Sequence, residues 1–167
     1  MAKNITALNE LSIAARNVTL TLIGIRKKMT KYNLKDFRAN SNKHLAVIIT
    51  KGWMKRNKYA VYSPFTLIDE DGYEFHFDAG FISDGGTLPV WLAPILRYNG
   101  IGMAAFLVHD KQCNRAEESG MFAIRAIGDA DLRRHLIQCG VNETIAKWAG
   151  SAVKKRGEYL RAIGELK

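Results

Sequence analysis

The sequence is short of the residues and motifs that usually announce a chemistry. It contains two cysteines, Cys113 and Cys139, 26 positions apart. That spacing fits neither a disulfide framework nor a Cys-x-x-Cys site, so a reducing cytoplasm is the expected setting. No stretch approaches the roughly 18 unbroken apolar residues that span a bilayer. The first residues lack the basic, apolar, small order of a signal peptide, and the sequons at Asn4, Asn17 and Asn142 are expected to be inert. A Walker A loop, a nucleophile elbow, a His-Glu-x-x-His pair and a dinucleotide fingerprint are all missing. Acids are scarce in one region only. Residues 1–58 hold Glu10 and Asp36 against 13 lysines and arginines, a net of +11, while residues 59–167 hold 12 bases and 14 acids, a net of −2. This asymmetry points to a polyanion-facing or partner-facing segment joined to a nearly neutral domain.

What is present suits one domain with an appendage, since 167 residues at 47% hydrophobic content can build a core. Leu8, Leu11, Ala15, Val18, Leu22, Ile25, Met29 and Tyr32 alternate at spacings of three and four, as the a and d positions of a heptad do. The length of that seam favours a helix, although residues 18–23 alone would suit a β-branched strand. Its apolar stripe could pack on the protein's own core, or serve self-association and docking. Residues 33–44 are polar and read as a linker, which gives a basic amphipathic extension over 1–42 and a core domain over 43–167.

In the core domain, "LAVIIT" at 45–50 reads as a buried strand. "KYAVYSPFTLID" and "YEFHFDA" flank Asp71-Gly72, a strong hairpin signal. Alternation in the second arm puts Tyr73, Phe75 and Phe77 on one face and leaves His76 facing solvent. From Thr87 onward the pattern is helical. Thr87 can cap a short helix with Pro89 in its first turn, and residues 101–108 form an apolar helix body. Residues 115–138 are helical in pattern with a break expected at Gly128, and Gly140 is a plausible stop. Asn142 then caps a last helix with Ile145, Trp148, Ala149, Ala152, Tyr159 and Leu160 on or near its apolar face. Strands first and helices after predict an α+β fold: a small antiparallel sheet, then a cluster of helices, with an N-terminal helical extension.

The polar residues of interest are Asp84, His109, Asp110 and Asp131. Asp84 sits in a Gly-flanked turn, where an aspartate commonly satisfies its own backbone. His109 and Asp110 close an apolar run. A histidine suits a helix C-terminus, but Asp110 does not, so it needs a cation, a metal or a hydrogen-bond network. Asp129, beside Gly128, reads as a helix cap, and Asp131 falls in the following first turn.

These residues lie in three ordered motifs: "GFISDGGTLP" at 80–89, "AAFLVHD" at 104–110 and "ADLRRHLIQCGV" at 130–141, with Trp91 between the first two. Over about 100 residues the chain resembles a family of small phage- and prophage-encoded proteins of unknown function. The family pattern is a Gly-Phe-x-(Thr/Ser)-Asp-Gly turn, a His-Asp helix end and an Ala-Asp helix start. The resemblance implies phage origin and a host bacterial cytoplasm or a virion as location. Here "KQC" follows His-Asp and "LRR" follows Ala-Asp, where the family places aromatic and bulky apolar residues.

Three functions follow as expectations. In the first, Asp84, His109, Asp110 and Asp131 share one cleft, bind a divalent ion (Zn, Mn or Mg) and support metal-assisted hydrolysis. In the second, the same residues form a buried structural network in a phage structural or interaction protein. Its basic N-terminal helix then docks into a phage or host assembly, or onto a second copy. In the third, Lys51, Lys55, Arg56 and Lys58 around Trp53 bind nucleic acid in a salt-dependent way. No membrane span is expected.

Overall fold

The computed structural model describes residues 29–48, 58–84 and 101–166. Strand β1 (Thr30–Asn33) leads into a 3-10 helix (Leu34–Lys43) and β2 (Leu45–Ile48). Strands β3 (Lys58–Val61), β4 (Phe65–Ile68), β5 (Glu74–Phe77) and β6 (Ile82–Ser83) follow. Three helices complete the chain: α1 (Met103–Ser119), α2 (Phe122–Gln138) and α3 (Glu143–Ala162). The fold is α+β, with strands preceding helices as the pattern predicts. The strands form two sheets of three, in the orders β1-β4-β5 and β2-β3-β6.

Pro64 accounts for the division into two sheets. The run "KYAVYSPFTLID" reads as one strand, but proline has no N–H to give a ladder. The chain therefore breaks at Ser63-Pro64, and β3 and β4 join different sheets. Strand β4 pairs with β5 in antiparallel register, Phe65 opposite Phe77 and Leu67 opposite Phe75. The expected hairpin is present. Gly72 takes a φ of 83°, and the Asp69 carboxylate accepts from the amides of Asp71 and Tyr73. His76 faces solvent as alternation requires, whereas Tyr73 lies in the turn and is exposed. Strand β2 is not buried: Ala46 and Val47 are exposed, because β2 is the edge of its sheet among the described residues.

Residues 33–44 are not a linker. They wind into the 3-10 helix, unusually long for its type, and bury Leu34 and Phe37. Phe37 stacks on Phe65 at 4.6 Å, and Phe65 on Phe77 at 5.0 Å, so this helix closes one end of an aromatic file. A compact unit begins at Lys31, ahead of the expected boundary at 43. Tyr32, the last position of the heptad seam, lies in β1 rather than in a helix and hydrogen bonds with His44 Nε2 at 3.0 Å. The seam residues from Leu8 to Ile25 fall outside the described residues, as do Thr87, Pro89, Trp91 and the basic patch at Lys51, Trp53, Lys55 and Arg56.

Among the described elements, helix α1 packs on two sides. Ala104, Leu107 and Val108 pack toward Phe65, Leu67 and Phe77, while Ala105 and Phe106 pack with Leu132, Leu136, Ala149 and Val153. A helix sandwiched on two sides must be apolar around its circumference, which accounts for the "AAFLV" run. The helix does not end at His109-Asp110. It continues to Ser119 and stops at Gly120, whose φ of 67° provides the left-handed cap. Gly128, the expected break, lies inside α2. A Cβ there would come within 2.8 Å of Gln112 Oε1, so this glycine serves the close approach of α1 and α2.

Helix α3 starts as expected, with the Asn142 side chain accepting from the Thr144 amide. Its buried stripe is Ala146, Ala149, Val153, Gly157 and Leu160, rotated from the predicted face. Trp148 and Tyr159 are exposed. Small residues let α3 approach α2 closely, so the bulky ones are turned outward. None of the described helices is long and apolar enough to cross a membrane.

Candidate functional site

His109 lies in the middle of α1 and is 4% exposed. Its Nε2 is 2.7 Å from Asp129 Oδ1 on α2, and its Nδ1 is 3.7 Å from Asp110 Oδ1. Cys113, one helical turn further along α1, places its Sγ 3.6 Å from His109 Nε2. Residues four apart share a helix face, so the His109 and Cys113 side chains emerge side by side. Asp129 is also 4% exposed, and its second oxygen faces Arg125 Nε at 3.6 Å, again four residues away. The third wall is Gly157 of α3. A Cβ there would overlap Asp129 Oδ2 and lie 3.2 Å from Arg125 Nε.

Asp110 points to a different neighbour. Ser83 Oγ of β6 donates to Asp110 Oδ2 at 2.5 Å, which ties the sheet to α1. The helix-end argument for Asp110 no longer applies, since α1 runs on. The required partner is nevertheless there, as a serine hydroxyl. Asp84, His109 and Asp110 line one cavity of about 200 Å³, together with Cys113, Arg125 and the rim residues Lys58 and Arg156.

Asp131 does not join them. It lies on the opposite side of α2, 3.3 Å from Arg134, in a separate groove that also holds Asp69 and Asp71. Positions 129 and 131 of one helix project about 200° apart. Once α2 runs unbroken through Gly128, only one of them can face His109, and that one is Asp129. The expected cap is thus a member of the cluster, and the expected member is a surface residue. Two cues to the right residues were in the sequence: Cys113 four after His109, and Asp129 four after Arg125.

The electrostatics follow from these contacts. Burial by itself would lower the His109 pKa, but hydrogen bonds to Asp110, Asp129 and Cys113 outweigh it. The imidazole is held well above its ordinary value. Burial pushes the other thiol, Cys139, up to about 11. Such a thiol is not a ready ligand.

The ligand atoms of His109, Cys113 and Asp129 all lie within 4.8 Å of one another, so the cluster could hold a metal ion. The 2.7 Å contact between His109 and Asp129 is a hydrogen bond. An ion with ligand bonds of about 2.0–2.3 Å needs the imidazole proton gone and the pair slightly opened. No family model matches the chain, and no curated protein or solved structure matches it.

Proposed function

We propose that the protein is a phage-encoded, metal-assisted hydrolase working in the cavity between α1, α2 and β6. The observation that carries this reading is the convergence of His109, Cys113 and Asp129 beneath a cavity also lined by Asp84 and Asp110. An imidazole, a thiolate and a carboxylate suit Zn²⁺ better than Mn²⁺, and Mg²⁺ least, because Mg²⁺ prefers oxygen ligands throughout. Three protein ligands leave a coordination position for water, and a bound cation brings the pKa of that water towards neutrality. Asp84 and Asp110, which line the same cavity, would be the candidate general bases. Phage origin rests on the three ordered motifs, and the expected location is the host cytoplasm or a virion.

The test is metal uptake by the purified chain. Zn²⁺ should bind and raise the melting temperature, because a ligand that binds the native state alone stabilises it. Asp129→Asn and Cys113→Ser should each abolish the gain, while Asp131→Asn should leave it intact. A melting temperature indifferent to Zn²⁺ and Mn²⁺ would overturn the metal reading. It would favour a second reading, in which the His109–Asp129 hydrogen bond of 2.7 Å is a structural tie in a phage interaction protein.

A further inference from the structure

Arg125 is in an unusual position for a guanidinium. It is 7% exposed, it lines the cavity, and its Nε has no hydrogen-bond partner. Among the described residues its charged partner is Asp129, at 3.6 Å, which is an ion pair and too long for a hydrogen bond. Asp129 has little more to offer, since its other oxygen is engaged by His109. A guanidinium carries five N–H donors in a planar fork, and burying even one of them, here Nε–H, without an acceptor is costly. Gly157 deepens the problem by letting α3 close over Nε. The Arg125 side chain lines the cavity, the open side from which an acceptor can approach the fork.

We infer that this cavity binds an oxyanion on the Arg125 fork, and that the substrates of the proposed hydrolase are phosphate esters. The substrate assignment rests on the hydrolase reading; the oxyanion site does not. Lys58 and Arg156 line the same cavity, so three cations face a space of about 200 Å³. A phosphate group, with its terminal oxygens and up to two negative charges, matches such a set better than a single carboxylate does. Asp84, Asp110 and Glu117 also line the cavity. They weaken the hold of the three cations on an oxyanion, and a divalent cation between them would relieve that repulsion; the His109–Cys113–Asp129 cluster adjoins Arg125 through Asp129. In the hydrolysis, the water oxygen bonds to phosphorus as the ester P–O bond breaks. One water proton goes to the leaving alkoxide and the other to the phosphate or to solvent, with no redox partner.

The probe is inorganic phosphate, titrated into the full chain by calorimetry at constant ionic strength, once after EDTA treatment and once with Zn²⁺. Phosphate should bind in both states and more tightly with Zn²⁺. Arg125→Gln should weaken binding about tenfold or more, because charge-assisted hydrogen bonds are lost. Arg125→Lys should weaken it less, keeping the charge without the fork. In the wild-type chain, phosphate should shift the Arg125 Nε–Hε resonance, a readout that stands even where a variant fails to fold. Phosphate binding without any effect of Zn²⁺ would uphold the oxyanion site and remove the metal reading. A Zn²⁺ effect with no phosphate binding would do the reverse. An unmoved Arg125 resonance, or an Arg125→Gln chain that binds phosphate as the wild type does, would overturn the inference.

Discussion

Two buried histidines of this protein each lie beside a buried aspartate, and they behave oppositely. His109 on α1 meets Asp129 at 2.7 Å, and His135 on α2 meets Asp69 at 3.5 Å. All four side chains are at most 4% exposed. Yet the His109 pKa is raised, whereas that of His135 is lowered, first by burial and then by the Arg134 charge. The carboxylates explain the contrast. Asp69 is committed elsewhere: one oxygen accepts from the amides of Asp71 and Tyr73, and the other also faces Arg134 at 3.4 Å. Asp129 has Arg125 at 3.6 Å and otherwise serves His109, which also has Asp110 and Cys113 nearby. A histidine and an aspartate in the same low-polarity interior are therefore not one motif. What decides is how many other donors the carboxylate already serves. His135, edge-on to Phe75 at 5.8 Å, is a core residue; His109 lines a cavity.

Replacing each aspartate is the strongest way to break this comparison. Asp129→Ala strands His109 and Arg125 in the interior and should cost about 3–5 kcal/mol in chemical unfolding. Asp69→Ala should cost less, roughly 1–3 kcal/mol, because Arg134 is partly exposed and can turn to water. Equal losses would mean that the two pairs are equivalent after all.

A smaller effect is expected from the glycines of α3. Gly157→Ala drives a methyl group into Asp129 and should destabilise by about 1–3 kcal/mol, as overpacking does. Gly150→Ala places its Cβ 3.3 Å from Arg133 Cβ, a contact that a slight shift relieves. Against it stands a helix-propensity gain of about 1 kcal/mol, so that variant should be close to neutral. A neutral Gly157→Ala would show that the Asp129 wall has slack.

The pH dependence sharpens the comparison further, with slopes of at most about 1.4 kcal/mol per pH unit for one proton. His109 has a raised folded pKa, so its contribution is full below the unfolded value near 6.5 and is lost as pH rises through the folded value. His135 has a lowered folded pKa. Its contribution is present above about 6.5 and is lost as pH falls through the folded value. His109→Gln should flatten the alkaline limb of a stability–pH curve and His135→Gln the acidic limb. Flattening of the same limb by both would remove the distinction.

Where a signal was local, it was legible. Asp71-Gly72 marked its hairpin and Asn142 its helix, because turn and cap chemistry involves neighbours in sequence. The sequence grouped Asp84, His109, Asp110 and Asp131; the first three line one cavity, and Asp131 lies in another groove. Asp129 was hidden by a rule that is locally sound: glycine usually interrupts a helix. Gly128 does not, since its reason for being there is Gln112 on another helix, a contact that no sequence window contains. Phe37 was missed similarly. A lone aromatic among polar residues reads as linker until the file of Phe65 and Phe77 supplies its partners.

The Ser83–Asp110 hydrogen bond bears on how anything reaches the cavity. The floor of that space is built from α1 and α2, helices of 17 residues each, crosslinked by the His109–Asp129 contact. One wall is a strand of two residues, paired with β3 at Ser83 and Ile82 and tied to α1 by the Ser83 hydroxyl. Floor and wall thus have different lifetimes: helices melt cooperatively, while so short a strand can lift with the loss of a few hydrogen bonds. A visitor that competes for Asp110 would unlatch the wall and leave the floor untouched. The serine is in that sense the tie between wall and floor.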